Sequence, residues 1–248
     1  MSILTDIIDA VIDGLKAAWN AITSVFSTKP VSSPTQGCAA TPLSDLSKST
    51  PRYDSLPQTV SLSKEACDTM QKLTDQSIDA KGNSTEHAGT LVTDPQGKLL
   101  VVNEKSGASG DVTPSTSAPK DHIYIGTFHT HPYGKNDGTW DGAHMPFSGG
   151  DVGTLDNFKE KVSVVQSGPN KYVLVQTDQT PSTISTIEAD KEYDKVFDAE
   201  YAAQQKLGKT DAESASIAGE KATAALAKKY NLGYYKGTDC ASLSRVNP

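Results

Sequence analysis

Cysteine is scarce. The 248 residues hold three, Cys38, Cys67 and Cys240, a set that is odd in number and widely separated. This pattern suggests neither a disulfide framework of the kind small secreted domains use nor a cysteine zinc finger, and it leaves the redox compartment open. Basic charge is also in deficit: 23 Lys and Arg stand against 30 Asp and Glu, a net charge of −7. Nucleic-acid binding needs a clustered basic face, so the balance gives no case for it. Long apolar runs are missing as well, and no stretch is long enough to span a bilayer. The start, Met1-Ser2-Ile3-Leu4-Thr5-Asp6, has no basic residue, and Asp6, Asp9 and Asp13 interrupt the apolar positions, unlike a secretory signal. An acidic soluble chain is expected, cytoplasmic or exported by a route that does not read such a signal.

The length allows one core domain with appendages. Over residues 1–27 the apolar residues Leu4, Ile7, Ile8, Val11, Leu15, Trp19 and Ile22 recur at helical spacing, which predicts an amphipathic helix. It suits packing on the main domain or on a second copy, with docking to a partner or chaperone as the alternative. Its acidic polar face fits a membrane surface less well. Residues 28–60 are rich in Pro, Ser and Thr without periodicity and read as a linker.

The core domain is expected over 61–185. Ser63 is placed to cap a helix running towards Ala80. Residues 86–92 and 98–103 flank Asp94-Pro95-Gln96-Gly97, the composition of a tight turn, and so predict a β-hairpin. Residues 106–119 read as a surface loop. A strand from Ile123, a long loop over 133–147, a helix starting near Ser148 and two strands over 162–166 and 172–176 complete the domain. Residues 186–248 are expected to be a helical C-terminal extension, turned near Gly208. The order of elements suggests an α+β or α/β/α arrangement around a small sheet.

Within this frame, alternate side chains of a strand share a face, so His129 and His131 reach one point while Thr130 points away. Catalytic zinc takes three N or O ligands and a water, and Asp151 is the nearest well-placed carboxylate to complete the set. A Zn2+ hydrolase site is the leading reading of these residues.

Three elements together, Glu86 in Glu86-His87-Ala88-Gly89-Thr90-Leu91, then His129-Thr130-His131-Pro132, then Ser148-Gly149-Gly150-Asp151, resemble the JAB/MPN (JAMM) metalloprotease family. The resemblance covers roughly residues 61–177. It implies a JAB/MPN-like, cytidine-deaminase-like α/β/α sandwich around a small mixed sheet, with zinc on His129, His131 and Asp151. It further implies that Glu86 is the general base, that Ser148 helps hold the oxyanion, and that a peptide or isopeptide bond is hydrolysed. Zinc lowers the pKa of its water from about 15.7 towards ~7, within reach of an ordinary carboxylate. The segment from Pro132 to Gly150, nineteen residues, is longer than the family's usual gap. Its Gly-rich insertion, with Trp140 and His144, is expected to be a mobile flap that contacts substrate.

Other candidates have plainer readings. His87 faces away from the site, His122 is solvated, and Cys38 is a free thiol in the linker. Asp137 and Asp141 lack the spaced oxygen ligands of a calcium loop. The substrate expected is a protein or peptide, with ubiquitin-like modifiers among the classes the resemblance implies and a secreted bacterial effector or toxin as a compatible role. A cell-wall peptide hydrolase and a metal-free binding scaffold are the alternatives; retention of Glu86, His129, His131, Ser148 and Asp151 together argues against the scaffold.

Overall fold

Nine strands form one mixed sheet in the computed structural model, which describes residues 39–246, and β3 (His87–Thr93) and β6 (Val162–Ser167) are buried along their whole length. The strands are β1 (Thr41–Pro42), β2 (Thr59–Ser61), β3 (His87–Thr93), β4 (Leu99–Ser106), β5 (Ile123–Thr130), β6 (Val162–Ser167), β7 (Asn170–Val175), β8 (Gly233–Gly237) and β9 (Leu243–Arg245). Their spatial order is β1-β2-β9-β8-β7-β6-β5-β3-β4. The helices are α1 (Leu43–Leu46), α2 (Lys64–Gln76), α3 (Gly149–Asn157), α4 (Thr186–Lys206) and α5 (Asp211–Lys229), with 3-10 turns at Tyr53–Ser55 and Lys135–Trp140.

The two faces of the sheet can be read from β6 and β7. Val164 and Val173 pack with Met70 and Leu73 of α2, whereas Val165, Tyr172 and Leu174 pack with Val152 and Leu155 of α3 and Leu226 of α5. α2 and the short α1 therefore cover one face, and α3, α4 and α5 cover the other. The longer helices start where the sequence offers a cap: the hydroxyl of Ser63 accepts the Ala66 N–H, that of Ser185 the Glu188 N–H, and that of Thr210 the Glu213 N–H. β5 and β6 run parallel, so a crossover must join them, and α3 supplies it.

One glycine sets the orientation of β5. Where β5 pairs with β3, the register shifts next to Gly126, whose φ is 158°. A Cβ there would run into the Val162 carbonyl. The bulge lets Ile125 and Phe128 share the α2-side core despite their odd spacing, and it turns Thr127, His129 and His131 towards α3.

Several expectations are corrected. The helix expected over 1–27, and Cys38, lie outside the described residues. The linker expected over 28–60 is folded from residue 39 onward: β1 and β2 pair with each other in parallel, β2 pairs with β9, and Leu43 and Val60 are fully buried. The sheet is consequently not small. The C-terminal segment is helical over α4 and α5, but its last residues form β8 and β9, which fill the sheet between β7 and β2, so it is no mere extension. Finally, Cys67 and Cys240 form a disulfide across 173 residues, with Cα atoms 6.4 Å apart. The order of the sheet brings them together, which their spacing in the chain conceals.

Candidate metal centre

The C-terminal end of β5 and the first turn of α3 meet at the parallel crossover, a position where strand ends and a helix N-terminus leave a crevice. His129 and His131 enter it from the strand and Asp151 from the helix. The two Nε2 atoms are 3.0 Å apart, the Asp151 Oδ1 is 3.2 Å from His129 Nε2, and its Oδ2 is 3.4 Å from His131 Nε2. A tetrahedral ion with bonds of about 2.0 Å separates its ligands by roughly 3.3 Å, so the three donors have the spacing such an ion needs. The His131 Nδ1–H donates to the Pro146 carbonyl at 2.8 Å, leaving Nε2 as a bare lone pair aimed at the others. Chemistry and spacing both fit a divalent cation of the zinc class.

Asp151 is held by the helix it caps. The Ser148 N–H and the Ser148 hydroxyl both donate to Asp151 Oδ2, at 2.7 and 2.8 Å, while the Asp151 N–H donates back to the Ser148 hydroxyl. This capping box fixes the carboxylate's orientation and commits the Ser148 hydrogen to it.

Electrostatics binds the group together. Burial resists charging His129, but the Asp151 carboxylate, with Glu86 and Glu160 behind it, lifts its pKa to about 9. Burial holds His131 below the usual imidazole value. Burial would raise Asp151, yet the two histidines and the Ser148 N–H keep it well below the usual carboxylate range. His129 thus shares its proton with Asp151 and the His131 lone pair, and the same three atoms could share a metal ion instead.

Glu86 lies just before β3, not within it, with its backbone tied to the 107–108 segment. Its side chain is 8% exposed, faces the same cleft and has no hydrogen-bond partner among the described residues. Burial pushes its pKa up to about 7, and Asp151, Asp111 and Asp137 add to the effect against the pull of His129. A carboxyl that titrates near neutrality can both take and give a proton there.

The cleft holds about 600 Å³. Its lining includes Gly110–Pro114, Tyr133, Asp137 and Trp140, with Thr127 and Ser163, and the Ser109 hydroxyl donates to Asp137 Oδ1 at 3.1 Å. Trp140 lines this cleft, is 37% exposed and meets Tyr133 and Phe197 edge-on. His144 does not. It lines a separate pocket of about 140 Å³ with Gln166 and Gly168, on the far side of the His131 backbone. The loop that carries both residues is no free flap: Ser84 N–H donates to Asn136 Oδ1, Gly134 N–H to Asp137 Oδ2, and Ala143 and Met145 are buried against α5. His87 is buried beside Ser106, as its strand parity implied.

Tyr133, Asp111, Glu160 and Thr127 had not been singled out from the sequence. Thr127 alone carried a signal, its place two residues before His129 on one strand face. Glu160 is buried and accepts a 2.6 Å bond from the Thr127 hydroxyl. Burial pushes it up to about 7, against hydrogen bonds from Thr127 and Ser163. Its folded-state pKa lies above the unfolded value, so its stability contribution is intact below about pH 4.5 and is lost as pH rises through about 7. Glu160→Gln is therefore expected to stabilise the protein by up to roughly 3 kcal/mol at pH 8 and by little near pH 5. Denaturant melts at the two pH values measure this, and an equal change at both would refute it.

Sheet, helices and cleft define a mixed α/β protein with a candidate His-His-Asp metal centre. No protein-family model matches the chain, and no curated protein does. Among solved structures it is similar to a JAB1/MPN domain protein from Archaeoglobus fulgidus, at 17% identity over 44% of this chain and 80% of that one, with a TM-score of 0.26. A likeness that low carries no argument about fold or function.

Proposed function

We propose that this chain is a zinc-dependent peptidase or isopeptidase of the JAB/MPN (JAMM) type. The observation that carries the reading is the convergence of His129, His131 and Asp151 at ligand spacing in one cleft with the buried, unpartnered carboxyl of Glu86. Bound zinc would polarise a scissile carbonyl and bring a water's pKa near neutrality.

The chain's own residues do the rest. Glu86 takes a proton from the attacking water and passes it to the leaving nitrogen, which answers the poor leaving ability of an amide. Ser148 holds Asp151 in place; for it to hold the oxyanion as well, its hydroxyl hydrogen would have to turn away from Asp151 Oδ2. Trp140 and Tyr133 form the wall along which a peptide lies.

Elemental analysis of metal-replete protein tests the metal half of the proposal. About one zinc per chain is expected for the wild type, and less than about a tenth of that for Asp151→Asn or His129→Ala. A wild-type chain that takes up only a small fraction of one zinc would sink the reading. Cleavage of ubiquitin chains, peptidoglycan peptides and denatured protein by the loaded enzyme then sorts the substrate class.

A further inference from the structure

With both imidazoles held neutral as ligands of a bound ion, the charged side chains that line the cleft are of one sign. Glu86, Asp111, Asp137 and Asp151 face it, and among the described residues no Lys or Arg does. A divalent ion at the triad offsets two of these four negative charges and leaves the other two. Asp137 accepts bonds from Ser84, Ser109 and the Gly134 N–H, but these donors are neutral and do not cancel its charge. Asp111 is exposed, and no hydrogen bond to its carboxylate occurs among the described residues.

Two further observations point to what enters. Glu86 is more than nine-tenths buried and aims an unpartnered carboxylate into the cleft, an arrangement that burial alone disfavours and an incoming donor or cation relieves. In the same lining as Asp111, Trp140 offers an indole, the best aromatic partner for a cation, and Tyr133 and Phe197 hold it in place.

We propose that the cleft selects peptides with a Lys or Arg side chain close to the bond to be cut, received between the carboxylates of Asp111 and Asp137 and the indole of Trp140. This rests on the peptidase reading above. A cleft of one sign concentrates ligands of the other, and salt screens the effect.

The test uses two pools of capped, fluorescent octapeptides that are identical except for Lys in one and Glu in the other. Binding is measured on full-length, zinc-loaded Glu86→Gln protein, and cleavage on the zinc-loaded wild type. The Lys pool is expected to bind about tenfold tighter in about 20 mM salt, with most of that margin lost in about 0.5 M salt. Asp111→Lys, checked for unchanged zinc content and circular dichroism, is expected to abolish the preference. Equal binding of the pools, tighter binding of the Glu pool, or an undiminished preference in Asp111→Lys overturns the proposal. Tighter binding of the Lys pool without cleavage by the wild type upholds the selectivity and counts against the peptidase reading alone.

Discussion

Zinc-loaded Glu86→Gln protein is expected to turn over substrate about 10³-fold more slowly than the wild type while holding the same amount of zinc. Glutamine keeps the shape of the side chain but cannot take the water's proton or return it to the leaving nitrogen. The ligand atoms belong to other residues, so metal content is unmoved. A second measurement separates this role from a structural one. In metal-free protein the buried carboxyl of Glu86 is raised to about 7, so the unfolded chain ionises first and the fold loses stability as pH climbs through neutrality. Glu86→Gln removes that loss, and its melts should lie above the wild type at pH 8 and close to it near pH 5. A residue kept for packing would destabilise on substitution; one kept for chemistry is relieved by it. Turnover equal to the wild type would take Glu86 out of its assigned role.

Breaking the Cys67–Cys240 bond carries the second large effect. It closes a loop of 173 residues, for which chain entropy alone gives roughly 5 kcal/mol of stabilisation. Folded domains hold only about 5–15 kcal/mol in total, so a reductant, or the Cys67→Ser, Cys240→Ser pair, should remove a large share of it. The loss has a location. Cys240 lies in the turn between β8 and β9, its carbonyl accepts the Leu62 N–H, and β9 spans only three residues. The edge built from β1, β2 and β9 is expected to loosen first, while β5 lies four strands away from β9. Denaturant melts with and without reductant measure the stability, and zinc titration of the reduced protein tests whether the centre is spared. Coincident melts would show that the cross-link contributes nothing.

What could be read from the sequence was local. The Ser63 cap, the Asp94–Gly97 hairpin turn, the strand pair around Gly168 and the two long helices all depend on neighbours within a few residues, and all are present. The candidate centre was legible for the same reason: strand alternation joins His129 to His131, and one helical turn joins Ser148 to Asp151. What escaped depends on the sheet's order. Two-residue and three-residue strands have too little periodicity to declare themselves, so β1, β2 and β9 looked like linker and tail. The disulfide followed them out of view. Glu160 reaches the site only because the crossover from α3 delivers the chain to β6 beside Thr127. His144 failed from the opposite cause, since proximity in sequence to Trp140 says nothing about which side of the His131 backbone a loop residue takes.

The capping box on α3 has a consequence for timing. The same Asp151 oxygen that satisfies the Ser148 N–H stands beside the His131 Nε2, so the end of the helix and the centre share an atom. Fraying of that turn withdraws the carboxylate, and an ion held by Asp151 makes the turn costlier to open. With an ion bound there, helix-end opening and ion escape would become one kinetic event, and the ion's residence time would be written in the exchange rate of the backbone amides at Asp151 and Val152.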